Sequence, residues 1–350
     1  MIKKNRGIAL VMVLMLSTIL VVVVSEFAYS CKVDAYIAYN QAHDLQNRYA
    51  LISFLNRAIA RIQLDALSDQ DNQDKNSQKE KTYDSIFDPW ALQGKKWGLE
   101  LQDTKVEGKI VDEERKFPLL QLVEKKKKSK KNSGKNQDKE KEEEKDKDKD
   151  KKSKKVSYKD VFVNLLKVVS KQEGKVAQTT HDNIVAWLKE KSGKMKDKYP
   201  TKVAIYSLKE LLLAKGINNL ILLGGRDKKD RKVRGLSEHV TIWSKGKVNI
   251  NTASPEVLLS LSSKMTPEIV GAIISKRSNK SDILKKTSEL PQKVSEVTKS
   301  IFAEIKEKIG VESQYFRITA IATTENVKKK MVAVVHRQEK KVFTIYCEIK

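Results

Sequence analysis

The sequence has few of the residues that build metal, disulfide or nucleophilic sites. Its 350 residues include two cysteines, four histidines and only 6% aromatic side chains. Two cysteines make no disulfide framework, and Cys31 and Cys347 are as consistent with free thiols as with one bond. No Cys/His spacing predicts a zinc site, and the motifs of serine hydrolases, P-loop proteins, zinc proteases and dinucleotide enzymes are absent. We therefore expect a protein that is not an enzyme and has no cofactor.

Charge is unevenly distributed: 70 basic residues against 45 acidic ones give a net charge of +25. Such an excess predicts either an anionic partner or a solvated basic segment. Residues 124–155 hold a sizeable part of it and contain no aromatic or large apolar side chain, so burial cannot offset their ordering entropy. We interpret them as a disordered Lys-rich insertion. A polybasic tail for phospholipid or nucleic acid is less favoured, because acidic residues interleave.

The N-terminus is the most informative segment. Lys3, Lys4 and Arg6 precede Gly7, and an apolar run follows over residues 8–24. This run is at the short limit for a membrane-spanning helix. Basic residues stay on the cytoplasmic side, so we expect one span of the inner membrane with the bulk of the chain in the periplasm.

The residues alone leave three interpretations of this segment. Ala28 and Ser30 satisfy the small-residue rule of a secretory signal that would release a soluble chain. An uncleaved anchor is the second interpretation. The third is a prepilin leader, cut between Gly7 and Ile8, so that the apolar segment is retained for assembly. The short basic segment that ends in Gly7 favours the third.

The sequence beyond the apolar run also favours retention. No proline or glycine occurs from Ile8 to Asp74, which predicts one helix of up to about 60 residues with an amphipathic second half. A polar loop is predicted over Ser68–Lys81. The predicted apolar face comprises Leu45, Tyr49, Ile52, Leu55, Ile59, Ile62 and Ala66.

Shorter elements are predicted downstream. Alternating apolar residues predict strands at Leu99–Gln102, Lys105–Val111, Tyr315–Ala322, Met331–Val335 and Val342–Tyr346. Apolar residues at helical spacing predict helices at Val161–Val169, Asn183–Lys191, Leu208–Lys215 and Val294–Ile309. We interpret the pairs Asp112–Glu113 and His181–Asp182 as surface or turn residues.

A loop followed by two short helices is predicted at residues 248–277. Ser254 caps the first helix, with Pro255 at its first position, and Thr266 caps the second. The residues of this structural motif are Asn249, Asn251, Thr252, Ser254 and Pro255.

Together these elements predict an α+β fold: a pilin-like long N-terminal helix and an antiparallel sheet, with a large inserted α-helical domain. The predicted divisions are a prepilin leader (1–7), a transmembrane and assembly helix (8–30), a pseudopilin helix with the first strands (31–123), the Lys-rich insertion (124–155), the inserted helical domain (156–312) and the closing strands (313–350).

Four stretches are similar to one family. They are Arg6–Leu10, Asp88–Ala91, Ile110–Lys116 and Val248–Leu258, the last continued by Met265–Ile269. With these motifs the chain resembles the type II secretion system protein K family (general secretion pathway protein K), the large minor pseudopilins. The resemblance covers essentially the whole chain except the Lys-rich insertion.

The resemblance implies a subunit that starts and caps a short periplasmic filament. The implied partners are minor pseudopilins of types I and J, the major pseudopilin, the prepilin peptidase and the inner membrane, with no nucleic acid. Most pilins carry Glu at the fifth mature position. In this chain that position is Met12, and an apolar residue there is a further resemblance to this family. The other assembly residues on the helix are Leu10, Val13 and Leu16.

The family's calcium-associated acidic stretch is replaced here by Lys189–Lys196. Glu210 still matches a family acid, but Ca²⁺ requires about six to eight oxygen ligands. Calcium is therefore implied only by the resemblance, and we expect the chain not to bind it at that place.

Two rival functions stay under consideration. The segment 248–277 also resembles the helix-hairpin-helix of DNA-binding competence proteins, but its turn, Ser262–Thr266, lacks the glycine that lets backbone amides approach phosphate. A plain secreted soluble protein is the other rival, and it requires cleavage before Cys31.

Overall fold

The structure is a computed structural model that describes residues 6–71, 83–91, 97–101, 103–123, 156–195, 205–227, 230, 232–244, 246–339 and 341–350. Most of the predicted leader and the whole Lys-rich insertion, residues 124–155, lie outside the described residues. The predictions made for them stay predictions.

One continuous helix, α1 (Arg6–Asp71), runs for 66 residues, as the absence of proline and of glycine after Gly7 predicts. At 1.5 Å per residue it is ~100 Å long. The helix continues to Asp71, so the loop predicted from Ser68 begins too early. Among the described residues, only the C-terminal half of α1 packs against other elements of the chain.

The sheet next to α1 has five antiparallel strands in the order β1-β2-β9-β10-β11. Apolar and polar positions alternate along β2 and β9, so one face of the sheet is buried. The strands are β1 (Trp97–Leu101), β2 (Thr104–Asp112), β9 (Tyr315–Thr324), β10 (Val327–Gln338) and β11 (Lys341–Ile349), which confirms the predicted strands.

The face of α1 that meets the sheet agrees with the predicted one only in part: Leu55 and Ile62 are buried as predicted, and Ile59 packs against the same core. Leu45 and Tyr49 are 52% and 63% exposed and point away from the sheet. The sheet takes a neighbouring stripe because small residues there let the backbones approach, and Phe54 lies against Gly108, where an added Cβ would be 2.5 Å from the Phe54 ring. The buried stripe is Asn47, Ala50, Leu51, Phe54, Leu55, Ala58, Ile62 and Asp65.

A helical layer lies between β2 and β9 in the chain and has its own apolar core, which extends from Phe117 to Val311. Its helices are α2 (Tyr158–Ser170), α3 (Gly174–Met195), α4 (Asn219–Leu223), α5 (Pro255–Ser260), α6 (Pro267–Arg277), α7 (Leu290–Lys293) and α8 (Lys299–Ile305). Its short strands are β3 (Phe117–Pro118), β4 (Gly224–Arg226), β5 (Lys232–Arg234), β6 (Val240–Thr241), β7 (Val248–Asn249) and β8 (Ile309–Gly310).

Two predicted helices differ from those in the structure. The segment predicted as helix over Leu208–Lys215 forms a 3₁₀ helix, Leu208–Leu213, which begins with a capping box of Ser207 and Glu210. The helix predicted from Val294 starts at Lys299, after the cap residue Thr298, because Val294 and Val297 enter the core as part of a turn. Ile309 and Gly310 then leave the helix to pair with β7.

Candidate functional site

The N-terminal half of α1 is the first feature with functional potential. Every residue from Gly7 to Ala42 is exposed. The predicted assembly and processing residues lie here, and their side chains are 59% (Ile8), 65% (Leu10), 66% (Met12), 66% (Val13) and 74% (Leu16) exposed. This segment is long and apolar enough to cross a membrane, and none of it is buried. The structure leaves its apolar surface without a partner within the described chain.

The second feature is the predicted structural motif, which lies between β7 and α5. Ser254 caps α5 and Pro255 is its first residue, as predicted. Asn249, Asn251 and Thr252 precede them and are all buried. Asn251 donates from Nδ2 to the carbonyl oxygens of Asp84 and Leu284, at 3.2 and 3.0 Å. Asn251 therefore ties the helical layer to the segment 83–91 and also links two parts of the layer itself.

The motif belongs to a larger buried polar group, here called the junction cluster. Its members are Asp65, Asp84, Asp112, Glu113, Glu114, Lys116, Asn249, Thr252, Ser313, Arg317 and Arg337.

Asp112, the last residue of β2, joins the sheet to the helical layer. Its Oδ2 accepts hydrogen bonds from Thr252 Oγ1 at 2.5 Å, Ser313 Oγ at 2.6 Å and Asn249 Nδ2 at 3.2 Å. Asn249 also donates to the Asp84 carbonyl oxygen at 3.2 Å. One carboxylate and one amide thus connect β2, β7 and the segment 83–91.

Glu113, the next residue, is an ionised group held by two cations. Its Oε1 accepts from Lys116 Nζ at 2.8 Å and from Arg317 Nε at 2.5 Å, while Thr241 Oγ1 donates to Oε2 at 2.6 Å. Burial alone would raise the pKa of Glu113, but these two cations hold it below its usual value. Because Arg317 lies on β9 and Thr241 on β6, Glu113 is a second link between the sheet and the layer.

Arg337 on β10 makes the third link. It donates to both carboxylate oxygens of Asp84, at 2.6 and 2.7 Å, to Asp65 at 3.2 Å and to the Ser313 carbonyl oxygen at 2.7 Å. Asp65 lies on α1, so this guanidinium connects the long helix, the sheet and the segment 83–91. Asp65, Asp84 and Asp88 lie close enough to hold a metal ion, but Arg337 already supplies the positive charge there.

The position of Asp112 and Glu113 corrects the interpretation that they are surface or turn residues, because their exposures are 2% and 0%. The same holds for His181, which is buried and bonds to the exposed Asp182 at 2.8 Å. The sequence carried one signal for Glu113: Lys116, three residues later, is its partner. The other partners are 128 or more residues away in the chain, and no local pattern indicates them.

The described residues at the place of the implied calcium site do not fit a calcium ion. Lys191, near the end of α3, forms an ion pair with Glu210. The other oxygen of the same carboxylate accepts from the backbone N–H groups of Tyr206 and Ser207, at 2.8 and 3.0 Å. A lysine ammonium thus neutralises the one matching acid.

The turn between α5 and α6 bears on the DNA-binding alternative. Glu304 on α8 accepts from Ser262 Oγ at 2.6 Å and from Lys264 Nζ at 2.5 Å. A carboxylate, which would repel a phosphate, therefore lies against this turn. Cys31 and Cys347 are free and exposed, so the structure does not join them.

Comparison with known proteins gives one informative result. No family model matches the sequence, and no curated protein matches it. A solved structure does: a chain from the crystal structure of the GspK–GspI–GspJ complex of the enterotoxigenic Escherichia coli Type 2 secretion system. The likeness has a TM-score of 0.58 at 12% identity and covers 89% of this chain and 98% of that one. The chain therefore shares the fold of a protein in that complex: a long helix, a five-stranded antiparallel sheet and further helices.

Proposed function

We propose that this chain is a minor pseudopilin of a type II secretion system that nucleates and caps the tip of the pseudopilus. In this role it drives export of folded proteins across the outer membrane. Its partners would be minor pseudopilins of types I and J and the major pseudopilin. The single observation that carries the proposal concerns the two halves of α1. Its N-terminal half, residues 7–42, is exposed and largely apolar and is here called the naked half, whereas its C-terminal half packs on the sheet of the same chain.

The naked half suits two environments in turn. Residues 8–24 would lie in the inner membrane after synthesis and then pack laterally against the helices of other subunits, exchanging lipid contacts for protein contacts. Leu45, Tyr49 and Ile52 extend this exposed apolar surface along the side of α1 that faces away from the sheet. The surface available to neighbouring subunits would thus continue past the membrane.

Met12 fits a subunit at the end of a filament. The run 8–24 contains no carboxylate. An acidic side chain there would be costly to bury unless a cation neutralised it. A subunit with no neighbour above it meets no such cation, and the helical layer would hinder the addition of one.

Processing gives the sharpest test of this function. We expect cleavage between Gly7 and Ile8, so intact-mass measurement of the chain purified from its host's inner membrane should show a start at Ile8. The variant Gly7→Val should block cleavage, whereas Ser30→Leu, the matched control, should be processed normally. A start at Cys31, or a block by Ser30→Leu alone, would instead establish a secreted soluble protein.

Activity is tested by deletion of the gene. Secretion of folded substrates should fall, and overexpressed pseudopili should grow long or fail to start. Restoration by the full chain and failure of restoration by Gly7→Val would tie the activity to the retained helix. Unchanged secretion after deletion would contradict the proposal.

A further inference from the structure

The junction cluster contains more buried carboxylates than cations. Its cations are Lys116, Arg317 and Arg337, and they pair with Glu113, Asp65 and Asp84. The five carboxylates, each at most 5% exposed, are those of Asp65, Asp84, Asp112, Glu113 and Glu114. Two carboxylates, those of Asp112 and Glu114, are left without a cation among the described residues.

Within the part of the chain that the structure describes, the donors that reach these two carboxylates are all neutral. Glu114 Oε2 accepts from the backbone N–H groups of Gln314 and Tyr315, and Ser244 Oγ lies 3.5 Å from Oε1. Asp112 is held by hydroxyl, amide and backbone N–H groups, including the N–H of Glu114 itself at 2.7 Å. Two adjacent buried carboxylates with only neutral donors are costly to ionise together, because each disfavours the charge on the other.

Glu114 also lies where its charge would matter most for the contact between sheet and helical layer. Its side chain accepts from the start of β9, and its carbonyl oxygen accepts from Asn249 N at 2.8 Å. We propose that the junction cluster is a pH-sensitive latch, in which Glu114 is protonated at neutral pH and its ionisation in alkali loosens the helical layer from the sheet.

Among the described residues, the acidic Asp112 and Asp84 disfavour the ionisation of Glu114, while the backbone N–H groups of Gln314 and Tyr315 favour it. Asp112 lies on β2 and Asp84 in the segment 83–91. Tyr315 on β9 contributes a phenol. The neutral Ser244, which follows β6, and the neutral Asn249 on β7 also contact Glu114. Burial, and then the Asp112 charge, raise the pKa of Glu114 from 4.5 to about 8. Burial likewise raises the pKa of Asp112 from 3.8 to about 6.

The sign of the effect follows from these shifts. Between pH 4.5 and about 8 the folded chain binds a proton at Glu114 that the unfolded chain has lost. Stability conferred by the proton is therefore full below that window and falls as the pH rises through it. Most carboxylates in ion pairs behave in the opposite way.

The test is thermal unfolding of the full chain in detergent micelles at pH 6 and pH 9. The midpoint of the native chain should fall by about 3 °C or more between the two. Glu114→Gln, which keeps the shape without the titration, should flatten that fall. The matched control Glu107→Gln, at a half-exposed position on β2, should retain it.

A second measurement needs no variant. After correction for intrinsic exchange rates, the Gln314 and Tyr315 amides should lose hydrogen-exchange protection between pH 6 and pH 9, whereas the amide of Ile318, farther along β9, should not. Three results would each overturn the latch. They are a thermal midpoint of the native chain that does not change between pH 6 and pH 9, a fall in midpoint that is as large in Glu114→Gln as in the native chain, and an equal loss of hydrogen-exchange protection at all amides along β9.

Discussion

The two halves of α1 share one helix but have opposite surroundings. From Gly7 to Ala42 every residue is exposed, including a long apolar run. From Asn47 to Asp65 one stripe is buried against the sheet, with Leu51, Phe54 and Ile62 fully enclosed. Apolar residues in the second half stabilise the fold of the chain itself, whereas those of the run 8–24 pack on no other described element.

The sequences of the two halves of α1 are therefore constrained in different ways. A helix that is apolar all round needs an apolar solvent or neighbouring helices, while an amphipathic helix needs only its own core. Substitutions in the two halves should therefore fail in different assays.

The largest expected effect comes from truncation of the packed half. Phe54→Ala removes a fully buried ring and should lower the free energy of unfolding by about 3–5 kcal/mol. Leu16→Ala, in the naked half, should change it by less than about 0.5 kcal/mol and should instead weaken assembly. Chemical unfolding of the detergent-solubilised chain measures both, and equal destabilisation would contradict the division of α1.

The ion pairs that join α1 to the sheet come next. Arg337→Leu leaves Asp65 and Asp84 buried without their cation and removes a guanidinium that lies 5.0 Å from the centre of the Phe316 ring, so we expect a loss of about 3–5 kcal/mol. Arg226→Leu is the matched control, because its ion pair with Asp230 is exposed and worth about 0–1 kcal/mol. A loss in Arg337→Leu as small as that in Arg226→Leu would contradict a stabilising role of Arg337 in the junction cluster.

A smaller effect tests the close approach of α1 to β2. A Cβ on Gly108 would lie 2.5 Å from the Phe54 ring and 2.7 Å from the Thr319 carbonyl oxygen. Gly108→Ala should therefore cost about 1–3 kcal/mol in the free energy of unfolding. Gly98→Ala on β1 has nothing within 4 Å and should be close to neutral. A neutral Gly108→Ala would mean that α1 packs less tightly than described.

The smallest expected effect concerns calcium. Because Lys191 pairs with Glu210, a calcium chelator should leave the thermal midpoint of the full chain unchanged. A drop in midpoint that added calcium reverses, and magnesium does not, would show that the chain binds calcium after all.

Local sequence patterns predicted most of the secondary structure. The unbroken helix, the alternating strands and the caps at Ser254 and Thr266 depend on neighbours in the chain, and the structure confirms them. The predicted stripe of α1 was right at Leu55, Ile59 and Ile62 and wrong at Leu45 and Tyr49, because two apolar stripes run along its second half. Which stripe is buried depends on contact with the sheet, where Gly108 on β2 and the small Ala50 and Ala58 on α1 let the helix approach the strands.

The junction cluster was beyond local patterns for the same reason. Asp112 bonds to Thr252 and Ser313, which are 140 and 201 residues away in the chain. Acidic residues after a strand are common in exposed turns, so Asp112 and Glu113 were assigned to the surface. Hydrogen bonds from donors that are distant in the chain offset the free-energy cost of burying these two carboxylates. The tertiary fold, not the local sequence, brings those donors together.

The most direct test of the account is site-specific photo-cross-linking in the secreting cell. A photoreactive residue at position 16, in the naked half of α1, should link the chain to other small subunits with apolar N-terminal helices. The same probe at position 213, where Leu213 is 72% exposed in the helical layer, should not form those links. Links from position 16 to no protein at all, in cells with an active secretion system, would contradict the claim that this helix packs between subunits.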